Sequence, residues 1–524
     1  PGEIMSSGRV FIDELGRKYR IKAPEPLSET PPNLRIARTR KTWDVYLRML
    51  GTVLPAFFLM YTSLFLILGL SSFEPILVLA SSMCSAPLVI LIVRLHRPRL
   101  VHVNLAVPDE SGFEAHALPQ GRSLRTPTKT KLSRFIVKDD SILDVPPSRD
   151  LWIIFGVIVS VGIAIGALIL AVSETVGLLL FIILAIPIWL VGFSLPVLAW
   201  WGTSNQLLGL STRRRDAEAW LMAGMASAFP AFIFNSLIFP EIVPFSEESW
   251  AFDFSLLAIG APFCEEIFKA LAVAIFLPTI KGPKHGFQIG FTVGLGFALI
   301  ENFQYIGASV FGGPIAASFT ILVRGIGSIP GHAIWTAIAG TAIGWAASDS
   351  EFKTKLTWRA RSVAISAIDM AEGLGIDTDG DGDLSGFDGP RPTLEEAIMQ
   401  ASSQSIESGN SWTILGSSED SSDSNPAESS LGASNFSLTY VKSPTPGKSK
   451  GIQTPKGVIP ATFLSIAGHS FWNGSSFLSF FAPTEWLGFE NEHGVALMLL
   501  WTVFLISSVL LFSRSLIRGI NSLE

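Results

Sequence analysis

The stretch LWIIFGVIVSVGIAIGALILAV, Leu151 to Val172, contains no charged residue. A helix needs roughly 20 apolar residues to cross the hydrocarbon core of a bilayer, so this run reads as a transmembrane span. Similar runs recur on both sides of it, at 51–71, 75–93, 177–200, 219–240, 254–277, 287–311, 315–347, 459–481 and 494–513, which makes about ten spans in all. The whole chain agrees, since its 524 residues are 48% hydrophobic and only 16% charged. That composition excludes a soluble globular protein of this length. The expected fold is all-α, a polytopic membrane bundle. The run 315–347 is too long for one straight crossing and holds Arg324 and Pro330, so it reads as one kinked helix or two short ones.

Charge placement supports the count. Basic flanks lie at Arg35 to Lys41, Arg94 to Arg99, Arg213 to Arg215, Lys281 with Lys284, Lys353 to Arg361, and Arg514 with Arg518. Ten single crossings put all of them on one side. The opposite side receives the acidic segments Ser173-Glu174, Glu241 to Asp253 and Glu485 to Glu492. Lys and Arg favour the cytoplasmic side, so both termini are expected there. The first 50 residues lack an apolar core and do not read as a signal peptide. The net charge of −6 hides this segregation and says little by itself. Two cysteines, Cys84 and Cys264, provide neither a disulfide framework nor a thiolate zinc site. Any metal must therefore use His and carboxylate ligands. The partners expected are membrane lipid and a membrane-protein or peptide substrate, with no nucleic acid.

The organisation expected is a cytoplasmic segment at 1–50, two spans in 51–93, a polar cytoplasmic linker or small domain at 94–150, and two further spans in 151–210. A membrane core follows in 211–349 and resumes in 459–524, interrupted by an acidic, Ser-rich insert at 350–458. The part of the insert from about 400 to 455 is too poor in apolar residues to fold. Earlier in it, Asp377, Asp379, Asp381 and Asp383, with Gly382 and Leu384, match a calcium loop of the EF-hand type, and 354–374 reads as its entering helix. Its twelfth position is Asp388 rather than the usual Glu, which shortens the reach for bidentate ligation. The competing reading is an unliganded acidic turn.

Ionisable residues inside apolar spans mark function by default, because a charge at the bilayer centre costs about 2.5–3.5 kcal/mol on insertion scales. The sixth span reads Pro262-Phe263-Cys264-Glu265-Glu266-Ile267-Phe268-Lys269. Its carboxylates differ by about 100° around the helix, so they cannot face one point together. Lys269, one turn on, can neutralise either, and a structural ion pair is the plain alternative. The seventh span carries small residues at 290, 294 and 298, a close-packing face, and then Glu301 with Tyr305 one turn later. The eighth supplies Arg324 and Pro330-Gly331-His332-Ala333-Ile334-Trp335-Thr336; the ninth supplies His469-Ser470-Phe471-Trp472-Asn473. A single His on an apolar helix is usually a satisfied core residue. Two histidines, a glutamate pair and an Asn converging from neighbouring spans point to one shared buried site.

These residues, in this order, resemble the PrsW group of intramembrane proteases, within the superfamily that includes the CAAX prenyl endopeptidases and bacteriocin-immunity proteins. The motifs are Glu-Glu-x-x-Lys, Glu-Asn-x-x-Tyr, Pro-x-His-Ala-x-x-Thr and His-x-x-x-Asn, and they cover about 215–350 and 455–515. The resemblance implies peptide-bond hydrolysis in the membrane, with Glu265 ahead of Glu266 as the base that activates water. It implies assistance from His332 and His469, and an oxyanion contact from Asn473. Lys269, Glu301, Tyr305 and Arg324 would support the site. A zinc set could be drawn from His332, His469 and one of Glu265 or Glu301, and a metal-free glutamate–histidine pair would use the same residues. Two rival classes remain: a transporter or channel with a charged path, and a non-catalytic immunity-type membrane protein. No convincing internal repeat supports the transporter.

Overall fold

A computed structural model describes residues 10–12, 18–20, 27–30, 42–97, 99–139, 141–171, 174–348, 350–375, 386–387, 391–399 and 451–523. The calcium-loop residues Asp377, Asp379, Asp381, Asp383 and Asp388, and the Ser-rich run at 400–450, lie outside the described residues. Two compact units emerge, one from 1–44 with 93–141 and one from 45–92 with 142–524.

The first unit is β structure. A short pair joins β1 (Val10–Ile12) to β2 (Lys18–Arg20), and a long antiparallel hairpin joins β3 (Leu100–Leu118) to β4 (Arg122–Lys138). The hairpin turns through Gln120 and Gly121, both at positive φ. Pairing breaks between Pro108 and Phe113, where proline cannot donate to the ladder. His116 is buried between Ser28 and Thr130, with Nδ1 3.1 Å from the Ser28 hydroxyl and Nε2 2.6 Å from that of Thr130.

The second unit is the helical bundle of a polytopic membrane protein. Among the described residues, seven helical segments are long and apolar enough to cross a membrane: α1 (Trp43–Ser71), α2 (Pro75–His96), α3 (Ser148–Ala171), α4 (Glu174–Leu208), the Arg214–Ile242 segment, α9 (Pro283–Val310) and α15 (Asn491–Asn521). The Arg214–Ile242 segment comprises α5 (Arg214–Ile233), one π turn and α6 (Phe239–Ile242). The other expected spans also fall on helices: α7 (Trp250–Ser255) running into α8 (Ala261–Ala274), α10 (Gly313–Val323) running into α11 (Ile329–Ser348), and α14 (Val458–Phe481). These three are the ones that carry the glutamate pair and the two site histidines. After α11 comes the polar helix α12 (Ser350–Gly373), where the entering helix of the insert was expected, and a short helix α13 at 394–399.

Wide π turns interrupt the bundle at Phe234–Ile238, Leu256–Gly260 and Arg324–Ser328. Each contains the carbonyl four residues before a proline, namely Pro240, Pro262 and Pro330. Proline lacks the N–H that would bond that carbonyl, and its ring crowds it, so the helix widens locally instead of breaking. The long eighth run is therefore one helical rod interrupted once. At its centre α9 lies almost wholly buried against α11. A Cβ on Gly290 would sit 2.6 Å from the Thr336 carbonyl oxygen, so only glycine allows this approach. Gly286 and Gly294 meet α11 backbone in the same way, while Gly296 meets α5 near Gly224. The close-packing face thus runs through 286, 290 and 294, and Ala298 is buried beyond it.

Candidate functional site

Pro262 and Pro330 place a π turn just ahead of Glu265 and of His332. Such turns re-aim the side chains that follow and recur at functional sites. Glu265, Glu266 and Lys269 on α8, His332 and Thr336 on α11, and His469 on α14 are all buried. Their polar atoms converge. Lys269 Nζ donates to Glu266 Oε1 at 2.8 Å and to Glu265 Oε2 at 3.3 Å, and lies 3.0 Å from His332 Nδ1. His469 Nδ1 is 3.0 Å from the same Glu266 oxygen and 3.9 Å from Glu265 Oε2. The Thr336 hydroxyl donates to Glu266 Oε2 at 3.5 Å. The two imidazole rings stand edge to face, 4.9 Å apart.

The paired carboxylates differ in their surroundings, as the 100° offset between them requires. Glu266 is held by Lys269, His469 and Thr336 and is 1% exposed. Glu265 is 7% exposed and makes only the longer of the two lysine contacts. One carboxylate is thus locked into the frame and its neighbour is the more available.

Glu301 stands behind His332, with Oε2 2.6 Å from His332 Nε2 and Oε1 2.6 Å from an Arg324 guanidinium nitrogen. Arg324 in turn lies 4.0 Å over the Tyr305 ring and donates from Nε to Asn302 Oδ1 at 2.5 Å. Glu301, Tyr305 and Arg324 therefore form an outer layer on the far side of His332. Lys269 Nζ also caps the Phe297 ring at 3.9 Å, which places apolar surface on one side of the ammonium. Three carboxylates face two fixed cations here, and an acidic excess of this kind suits either a proton-accepting base or a bound cation.

Asn473 is not brought into the cluster. Its Nδ2 donates to the Leu257 carbonyl at 3.0 Å, in the π turn ahead of the glutamates. The partner is a carbonyl that the widened helix leaves open. The Ser465 hydroxyl donates to the Trp335 carbonyl at 2.6 Å, and Gly468 packs against the Trp335 ring. These contacts seat α14, and hence His469, against α8 and α11 across the long insert. Thr336 and Asn302 are site residues to which motif reading assigned no role. Thr336 was detectable as the residue one turn after His332, on its face; Asn302 owes its place to Arg324, which approaches from another helix.

Among the described residues, Glu265, His332 and His469 form a group whose ligand atoms all lie within 4.8 Å of one another. Two imidazoles and a carboxylate are a known zinc donor set, and Glu301 behind His332 is the kind of outer carboxylate that orients a ligating imidazole. The donor set suits a divalent ion, and two of its three residues, Glu265 through Oε2 and His332 through Nδ1, also contact Lys269 Nζ. Glu301 lies outside the three-residue group.

Comparison with known proteins adds one finding and two negatives. Neither a curated protein nor a solved structure matches the chain. Residues 217–369 match the family described as PrsW family intramembrane metalloprotease, a segment that holds Glu265, Glu266, Lys269, Glu301 and His332 and ends before His469.

Proposed function

We propose that this chain is an intramembrane endopeptidase that hydrolyses peptide bonds of membrane-associated protein substrates. The observation that carries this reading is the convergence of Glu265, Glu266, His332 and His469 on one buried patch from three separate helices. The family match over α8 to α11 supports it.

In this reading Glu265 is the general base. It takes a proton from water, the resulting hydroxide adds to the scissile carbonyl, and the same carboxyl returns the proton to the departing amine. Glu266 keeps its charge as the anchor of Lys269 and His469. His469, held through Nδ1 by Glu266, can offer a proton from Nε2, when protonated, to the oxyanion that develops on the carbonyl, in a site where low polarity strengthens such a contact. Glu301 and Arg324 fix the orientation of His332. In the metal-dependent alternative, Glu265, His332 and His469 would hold a divalent ion that supplies Lewis-acid polarisation of water or carbonyl, and Glu265 would act as a ligand instead of as the base. Asn473 contributes through the seating of α14; an oxyanion contact would have to come from its second N–H.

The test uses purified protein in detergent with a panel of membrane-anchored substrates, comparing wild type with Glu265→Gln, Glu266→Gln and His469→Ala. Loss of cleavage in Glu265→Gln with a normal melting curve supports the assignment. Cleavage surviving all three changes overturns it. Loss of activity in a chelator and its recovery with zinc but not calcium would assign a metal; undiminished activity in chelator would assign the glutamate–histidine pair alone.

A further inference from the structure

The β3–β4 hairpin of the first unit carries a surface that the peptidase reading does not use. Cross-strand partners share one face of a ladder, and successive residues alternate between faces. Leu100 pairs with Lys138, His102 with Ile136 and Asn104 with Arg134, so these six side chains lie on one face at the open end of the hairpin. All six are exposed. The opposite face is better covered, with Val101, Val103, Ser133 and Val137 half-buried.

The exposed face is both apolar and basic. Leu100 is 66% exposed and Ile136 62%, and as diagonal neighbours across the ladder they make one apolar patch. Arg134 and Lys138 stand on either side of Ile136 along β4. Neither has an ion-pair partner among the described residues. Lys131, on the other face, differs in this respect, since its Nζ lies 3.3 Å from an Asp109 carboxylate oxygen. No Asp or Glu shares the six-residue face, and none occurs anywhere in β4.

An apolar patch rimmed by polar groups marks an interaction surface. Two observations select a membrane as the partner. The first is charge, because unpaired cations beside an apolar patch match the phosphates of an anionic lipid surface, to which arginine presents a fork and lysine a point charge. The second is connectivity. The membrane-spanning α2 ends at His96 and β3 begins at Leu100, a gap of four residues that reaches at most about 14 Å. At the other strand, β4 ends at Lys138 and the next span, α3, begins at Ser148. The open end of the hairpin is thus tied by both strands to spans, and it is the end that bears the patch.

We propose that this face docks on the head-group layer of an anionic bilayer leaflet. Leu100 and Ile136 enter between the lipids, and Arg134 and Lys138 meet lipid phosphates. The docking shares no residue with the glutamate–histidine cluster and stands whether or not the chain cleaves peptides.

The experiment uses the full-length chain in nanodiscs, with Cys84→Ser removing the exposed thiol and the buried Cys264 retained. A nitroxide is attached at Ile136→Cys, at His102→Cys on the same face, or at Leu105→Cys, which is exposed on the opposite face. Its accessibility to a water-soluble nickel relaxant is read by electron paramagnetic resonance. Adding phosphatidylglycerol to phosphatidylcholine nanodiscs should shield positions 136 and 102 and leave 105 unchanged. The label at 102 keeps both apolar residues of the patch, so the result does not hang on replacing Ile136. Each cation beside an anionic surface is worth about fivefold in occupancy, so Arg134→Gln with Lys138→Gln should lower the docked population about 25-fold. Both labels should then return to their accessibility in pure phosphatidylcholine. Equal accessibility of 136 and 102 in the two lipids, shielding of 105 that matches theirs, or shielding that survives the double substitution overturns the proposal. A protein partner for this face would give the first of these results.

Discussion

Replacing Lys269 with Met should destabilise the helical unit more than any other single change in the site. The ammonium is fully buried and lies 2.8 Å from Glu266 and 3.3 Å from Glu265. At an effective dielectric of about 20, those contacts represent about 6 and about 5 kcal/mol of gross attraction. Desolvation of the three ions offsets much of this, but removing only the lysine leaves two buried carboxylates without their cation. Breaking a buried pair in this way costs about 3–5 kcal/mol. Met keeps the volume and the contact with Phe297, so a cavity does not confuse the result. The measurement is unfolding in mixed micelles with increasing SDS, followed by circular dichroism. Adding Glu265→Gln and Glu266→Gln to Lys269→Met should recover most of the loss, because the uncompensated charge is gone. A single Lys269→Met variant within about 1 kcal/mol of wild type would refute the reasoning, since it would place the loss among ordinary substitutions.

Three further outcomes follow from particular contacts. Gly290→Val puts side-chain atoms where even a Cβ lies 2.6 Å from the Thr336 carbonyl, so it should lower stability by at least the 1–3 kcal/mol typical of overpacking, read by thermal melting in detergent. Asn473→Ala loses one hydrogen bond to Leu257 and should cost about 0.5–1.5 kcal/mol with little change in kcat; a fall of about 10²–10³ in kcat would instead make it an oxyanion donor. In the polar insert, the hydrogen bonds from Arg391 hold the Asp369 carboxyl below its ordinary value, helped by the Phe387 N–H. Because the folded value is the lower one, that tether is complete above the ordinary carboxylate value of about 3.9 and is lost as pH falls through the depressed one. A carboxyl NMR titration should show Asp369 moving up toward the ordinary range in Arg391→Ala.

Much of this architecture was legible in the chain because its causes are local. An apolar run of membrane-spanning length must become a helix in hydrocarbon, where every backbone polar group has to be satisfied within the segment. Each expected span accordingly falls on a helix, and the doubtful eighth run is a rod widened once ahead of Pro330. The β3–β4 hairpin was not foreseen. Its alternation is readable in LVHVNLAV from Leu100 to Val107, but the prolines and mixed charges of the segment obscure it. Within the site, the separation of Glu265 from Glu266 by helix geometry was legible, while the side each would face was not. That depends on where α14 docks, through Ser465, Gly468 and Asn473.

The sequence by itself determined that the chain spans a membrane repeatedly and which residues are too costly to lie in lipid, because burial of an apolar run acts within one segment. Only the tertiary structure decided that Glu266 is saturated while Glu265 stays more open, that Glu301 serves His332, and that Asn473 is spent on a helix contact. Those outcomes rest on distances of about 3 Å between helices far apart in the chain, and side-chain periodicity along a single helix carries no information about the neighbour it will meet.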